Sequence, residues 1–242
     1  MSTSKTLLVG EGTTSIVVLA LAAVVLLATF AGAAAAGDSP PPSTTANLTL
    51  HNLCPFPVWP LVTANAGLPG IPVDDDGEPV GRRLAGNGEG LATLSFPPGA
   101  WSGRVTARTG CQAAEEDDGG SSTRVARCAT GESPPVTVAQ VSVGGPGGLA
   151  AYSVSLVDGF NVAVVITPHG FAQGRRCPAL GCAVDLCGAR APREGCGAGA
   201  SSAAAFKQVC PDTRTNATDV EATPQDCVAP REIKVVFCPT QD

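Results

Sequence analysis

Charge is scarce in this sequence: only 15% of its 242 residues are Asp, Glu, Lys or Arg. Fifteen basic side chains against 21 acidic ones leave a net charge of −6, which argues against nucleic acid and anionic membrane surfaces as partners. Histidine is nearly absent, with two residues, and aromatics make up 4%. Apolar runs of spanning length are missing after the first few dozen residues. Glycine and proline, by contrast, are plentiful at 29 and 21. So many turn formers argue against a helical bundle and for short strands joined by turns. The length suits one large all-β domain or two small ones. Ten cysteines, an even count, read as a disulfide framework if the chain enters an oxidising compartment.

The N-terminus predicts such entry. Lys5 precedes an apolar run from Ile16 to Ala31, and Ala34-Ala35-Ala36 before Gly37 fits the small-residue cleavage rule. A retained anchor is the competing reading, disfavoured by the Ala-rich end and by Ser39-Pro40-Pro41-Pro42 after it. The expected organisation is a signal peptide over 1–36, a flexible Pro/Ser/Thr-rich segment over 37–46 and one domain over 47–240. Cleavage removes Lys5 and Glu11, so the charge stays at −6. The sequons at Asn47 and Asn216 are expected N-glycosylation sites of a secreted, extracellular protein. No retrieval signal occupies Thr240-Gln241-Asp242.

From Ala46 onward, β-favouring runs predict strands over Asn47–His51, Val58–Ala64, Leu91–Phe96, Gly103–Thr109, Pro135–Val143, Ala151–Val157, Asn161–Thr167 and Ile233–Cys238. Asp158-Gly159 between two such runs reads as a hairpin turn. One short helix is expected over Ser201–Val209. The pattern is that of a sandwich or jelly roll without internal repeats. Two acidic stretches, Asp74–Glu78 and Glu115–Asp118, are expected to be solvated loops. The first fails the calcium-loop phase: with Gly77 in the glycine position, Pro72 and Arg83 take the first and last ligand places.

Four stretches carry a family resemblance. They are Trp101–Cys111 (WSGRVTARTGC), Val154–Val162 (VSLVDGFNV), Phe206–Asp212 (FKQVCPD) and Val235–Thr240 (VVFCPT). They resemble the thaumatin-like proteins, a pathogenesis-related group, over about Leu48 to Thr240. The resemblance implies an all-β, thaumatin-like β-sandwich with a jelly-roll-like arrangement and disulfide-stapled loops. Arithmetic alone leaves on the order of a thousand cysteine pairings open. The resemblance implies Cys54–Cys238, Cys111–Cys128, Cys177–Cys227, Cys182–Cys210 and Cys187–Cys196. Zinc on Cys177, Cys182 and Cys187 is the weaker alternative, since the cluster contains no histidine. Only 13 residues separate Cys196 from Cys210, where long family members carry a cysteine-rich lobe. The chain therefore resembles the short, ten-cysteine form, with a reduced second lobe and a shallower cleft.

Antifungal members of that family line the cleft with one Arg, one Glu and three Asp. The matching positions here are Arg104, Gln140, Ser153, Asp158 and Asp212. Glycoside hydrolysis needs two carboxyl groups about 5–9.5 Å apart, one protonated and one ionised. An amide does not titrate, so Gln140 and Ser153 disfavour weak β-glucanase activity, and no catalytic residue is assigned. Asp158 and Asp212 have plain structural alternatives in a turn and an Asx cap, and Arg104 in a surface position or as the partner of Asp158. Neither His51 nor His169 has a Gly-x-Ser-x-Gly elbow to serve, and the pairing scheme leaves no free thiol. Gly144–Gly148 contains proline and opens no helix, which excludes a phosphate cradle.

The resemblance implies a secreted plant defence protein, expected as a monomer in the apoplast, that needs no metal or cofactor. Its first expected partner is fungal cell-wall β-glucan, with Trp59, Trp101 or Tyr152 as candidate stacking surfaces, although core packing is the commoner fate of such rings. The alternative is inhibition of a microbial glycoside hydrolase such as a xylanase.

Overall fold

A computed structural model describes residues 46–113, 125–197, 200–220 and 222–240. The expected signal peptide, nearly all of the 37–46 segment and the acidic stretch Glu115–Asp118 lie outside the described residues. Eleven strands follow in chain order: β1 (Asn47–Asn52), β2 (Trp59–Ala64), β3 (Gly90–Ser95), β4 (Trp101–Arg108), β5 (Gln112–Ala113), β6 (Val125–Arg127), β7 (Val138–Val143), β8 (Ala151–Ser155), β9 (Val164–His169), β10 (Leu180–Cys182) and β11 (Glu232–Phe237). Two helices, α1 (Ala191–Glu194) and α2 (Ala200–Val209), lie between β10 and β11. The eight expected strands are all present, with ends moved by up to three residues. Strand β7 starts at Val138 because Pro135 has no N–H and the N–H groups of Val136 and Thr137 donate to the Asp158 carbonyl and the Asn161 Oδ1 instead of to a neighbouring strand. The unexpected β5, β6 and β10 are two or three residues long, too short to show a period.

Two main sheets form the sandwich. One runs β10-β9-β11-β1-β3 and the other β2-β4-β7-β8, while β5 and β6 make a separate ribbon. Strands β1 and β11 pair in parallel, bringing the first strand against the last. Alternate residues fill the space between the sheets: Leu48 and Leu50, Ile233, Val235 and Phe237 from one, Trp101, Val105, Val141, Tyr152 and Val154 from the other. Trp101 lies along its own strand, where a Cβ on Gly103 would come within 2.5 Å of the indole ring and 2.6 Å of the Thr63 carbonyl. Glycine at 103 is therefore what lets the ring pack flat against β4. The indole Nε1 donates to the Pro69 carbonyl at 3.0 Å, and Phe96 packs on the ring at 5.0 Å between centroids.

The hairpin expected at Asp158-Gly159 does not form. Strands β8 and β9 belong to different sheets, and the turn between them hands the chain from one sheet to the other. Gly159 N–H donates to the Leu156 carbonyl, and its φ of +95° explains the glycine. The next residues are buried and find partners elsewhere: Phe160 exchanges backbone hydrogen bonds with Cys196, and Asn161 bonds Thr137. Burying this apolar stretch between layers outweighs the local turn preference.

Disulfides join Cys54 to Cys238, Cys111 to Cys128, Cys177 to Cys227, Cys182 to Cys210 and Cys187 to Cys196. Three of them staple the region from Cys177 to Cys227, whose regular structure among the described residues is β10, a 3₁₀ turn and the two helices. This is the small second lobe. Cys177, Cys182 and Cys187, grouped in sequence, take three different partners.

The acidic loop at 74–78 is not simply solvated. The Asp74 side chain is only 2% exposed and pairs with Arg82 at 3.0 Å. Its carboxylate also accepts from the backbone N–H groups of Asp76 at 3.1 Å and Glu78 at 2.9 Å. Burial pushes the carboxyl toward the neutral form. The Glu78 N–H, the Arg82 hydrogen bonds and charge, and the Asp76 N–H overcome this and hold it below its usual range.

Candidate functional site

The four-stranded sheet presents its outer face to an open depression of about 270 Å³. Register builds its floor. Arg104 on β4 lies opposite Thr63 on β2 and Gln140 on β7, and Gln140 lies opposite Ser153 on β8. Side chains at such directly paired positions stand about 4.5–5.5 Å apart at Cβ, so the four form one row across the sheet, of which Arg104, Gln140 and Ser153 line the depression and Thr63 lies beyond its edge. Two residues along, Ser102, Ser142 and Ala151 form a parallel row. Asn65 donates its amide to the Ser102 hydroxyl at 2.8 Å, and Thr223 lines the depression from the segment preceding β11. Alternation explains the polarity: Gly103, Val105, Ala139 and Val141 turn inward, leaving Ser102, Arg104, Gln140 and Ser142 outward.

Three of the five expected cleft residues, Arg104, Gln140 and Ser153, thus meet in one place. Arg104 and Gln140 are exposed, whereas Ser153 is buried. Asp158 and Asp212 are exposed and do not line the depression. Asp158 lies in the turn after β8, and its carbonyl accepts from Val136 N–H. Arg104 is not its partner among the described residues. Asp212 sits in the turn that carries Arg214 onto the free edge of β8, alongside Ser155. Beside it, the Thr213 hydroxyl donates to the Cys210 carbonyl at 2.7 Å, and among the described residues the Asp212 carboxylate caps no N–H. Among the described residues lining the depression there is no carboxylate.

The carboxylate that organises the loop following Arg214 is Asp219, outside the depression. It accepts from the backbone and hydroxyl of Thr215, both at 2.8 Å, and from the Asn216 amide at 2.7 Å, with Lys207 at 3.7 Å. The Thr215 backbone and hydroxyl bonds lead, and against a small burial cost Lys207 and Asn216 add to them, lowering its pKa to about 2. Sequence reading missed Asp74 and Asp219; an Asp two to four residues from the N–H groups it caps is the signal that was there. Asn216 is half-buried and its Oδ1 accepts from Thr218, while Asn47 opens β1 against Ser95 and Glu232.

Both aspartates have lower pKa values folded than unfolded. Their contribution is therefore fully present above the unfolded value of about 4 and is lost as pH falls toward the folded values. The melting temperature is expected to stay flat above about pH 5 and to fall below pH 4. Asp74→Asn and Asp219→Asn should each shrink that fall. A melting temperature unchanged between pH 6 and pH 2.5 contradicts this account.

Of the expected stacking surfaces, Trp101 and Tyr152 are in the core. The Tyr152 hydroxyl donates to the Pro178 carbonyl at 2.6 Å, and burial pushes its pKa up. Trp59 is half-buried at the start of β2. His51 bonds the Gly88 carbonyl through Nε2 at 3.2 Å, and His169 is exposed at the end of β9.

These features define an all-β sandwich, stapled by disulfides, with a polar depression on the outer face of one sheet. The Thaumatin family pattern matches residues 52–195, and the chain belongs to that family. It is 34% identical to an osmotin-like protein of Solanum lycopersicum over 237 residues, covering 79% of this chain and 88% of that one. It is 32% identical to pathogenesis-related protein 5 of Arabidopsis thaliana over 228 residues, covering 80% and 90%. A glucan endo-1,3-beta-glucosidase of Prunus avium is 32% identical over 133 residues, about half of each chain. Among the described residues no helix is long and apolar enough to cross a membrane.

Proposed function

We propose that this protein is a secreted plant defence protein that binds cell-wall β-glucan in the depression of the four-stranded sheet and does not hydrolyse it. The names of the relatives support the defence role, and the five disulfides fit an oxidising compartment. The observation that carries the binding reading is the row Thr63–Arg104–Gln140–Ser153, flanked by Ser102 and Ser142. Hydroxyl, amide and guanidinium groups on a rigid sheet match a ligand rich in hydroxyls. Hydrolysis would need an acid and a base across the scissile bond. Gln140 stands at the centre of the row and can be neither.

The test incubates the mature protein with soluble laminarin, insoluble β-1,3-glucan and fungal xylanases. Retention on the insoluble glucan without release of reducing sugar is the expected result. Release of reducing sugar overturns the non-catalytic reading. Xylanase inhibition without glucan retention overturns the glucan reading in favour of an inhibitor. Gln140→Glu combined with Ser153→Asp is expected to alter glucan retention; unchanged retention moves the binding surface away from the depression.

A further inference from the structure

We propose that Arg104 makes this depression selective for a sugar bearing a carboxylate, so that acidic polysaccharide chains bind in preference to neutral ones. The inference rests on the reading of the depression as a polysaccharide site and names the chemistry that the site prefers.

Charge placement carries it. Arg104 is the one charged side chain among the described residues lining the depression, and it is exposed. It has no ion pair among the described residues. Arg82, Arg108, Arg175 and Lys207 are each occupied, by Asp74, by Glu132 and two backbone carbonyls, by Asp226 and by Asp219. Arg104 therefore presents a guanidinium with unused donors to the open space. The positions beside it on the neighbouring strands hold Thr63 and Gln140, which cannot neutralise it.

A guanidinium binds a carboxylate through two parallel N–H···O bonds, a charge-assisted pair stronger than a bond to a neutral hydroxyl. The neighbouring Ser102, Ser142 and Gln140 then remain for the hydroxyls of the same ring. The volume, below the ~300–1,000 Å³ of pockets for drug-sized ligands, suits one sugar ring with its chain continuing along the open face. The net charge of −6 opposes any acidic ligand, but exposed carboxylates such as Asp158 and Asp212 are damped by salt within about 10 Å at 0.1 M. A fork in direct contact is damped much less.

The test compares β-1,3-glucan oligomers with carboxymethylated oligomers of the same length, by calorimetry with the mature protein in 0.1 M salt. The carboxymethylated chain should bind about 10- to 100-fold tighter, the range expected for a charged over a neutral hydrogen bond. Arg104→Gln should reduce that ratio to about 1–3 and Arg104→Lys should leave an intermediate value. Gln140→Glu, which sets a carboxylate opposite Arg104, should also collapse the ratio. Equal binding of the two oligomers by the unmodified protein overturns the inference while leaving the glucan reading intact. A preference that survives both Arg104→Gln and Gln140→Glu overturns it as well. If neither oligomer binds, the depression is not a polysaccharide site, and both readings fall together.

Discussion

Asn161→Leu is expected to destabilise the protein by about 3–5 kcal/mol, measured by denaturant unfolding with the disulfides intact. Asn161 is fully buried. Its amide donates to the Ala107 carbonyl at 2.8 Å and to the Thr130 hydroxyl at 2.9 Å, and its Oδ1 accepts from the Thr137 N–H at 3.0 Å. Thr130 in turn bonds Thr109, whose hydroxyl also reaches the Pro192 carbonyl. One side chain thus ties the end of β4, the segment entering β7 and the small lobe to the crossover between the sheets. Leucine keeps the branched outline, with bulkier methyl ends, and leaves a backbone N–H and a carbonyl without their partner, each worth about 1–3 kcal/mol when buried. Because β4 carries Arg104 and β7 carries Gln140, loosening this brace should weaken ligand binding too. A loss below about 1 kcal/mol would falsify its role as a brace.

Removing the Cys54–Cys238 bond by a double serine substitution should cost about 5 kcal/mol in the chain-entropy description. The bond closes 184 residues, nearly the whole domain, and joins the ends of the parallel pair β1 and β11. Cys187–Cys196 closes only nine, and its removal should cost about 2.5 kcal/mol in the same description. Unfolding of the two double variants without reductant provides the comparison. The reverse order would show that contacts in the native lobe, not the entropy of the open chain, set the contribution of these bonds. Cys54 is buried beside the Leu53 N–H to Phe237 carbonyl bond. Packing losses therefore add to the entropic term in the same direction.

Much of the fold was legible because strand formation leaves a local trace. Leu48 and Leu50, or Ala139, Val141 and Val143, alternate with outward residues whatever they pair with. The helix near 201–209 and the glycine-rich turns were visible for the same reason. The site was legible through resemblance more than through composition. Matching positions picked out Arg104, Gln140 and Ser153, but nothing local indicates that residues 36 and 13 positions apart share a row. Asp74 shows the opposite failure. In sequence it belongs to an acidic run, yet its side chain turns inward to cap its own loop and hold Arg82.

The sequence by itself determined the class of molecule: a turn-rich β protein of low charge, with ten cysteines. Those are properties of residue type and short-range spacing, which survive in an unfolded chain. Only the tertiary structure decided that β1 lies beside β11, that Asp158-Gly159 crosses between sheets, and that Asp158 and Asp212 stay outside the depression. Pairing and register are settled by which apolar faces can be buried together over the whole chain, and a shift of one residue would turn Arg104 inward and Val105 outward. The charge of the site follows from that register, and so an acidic protein carries a depression whose one charged described side chain is an arginine.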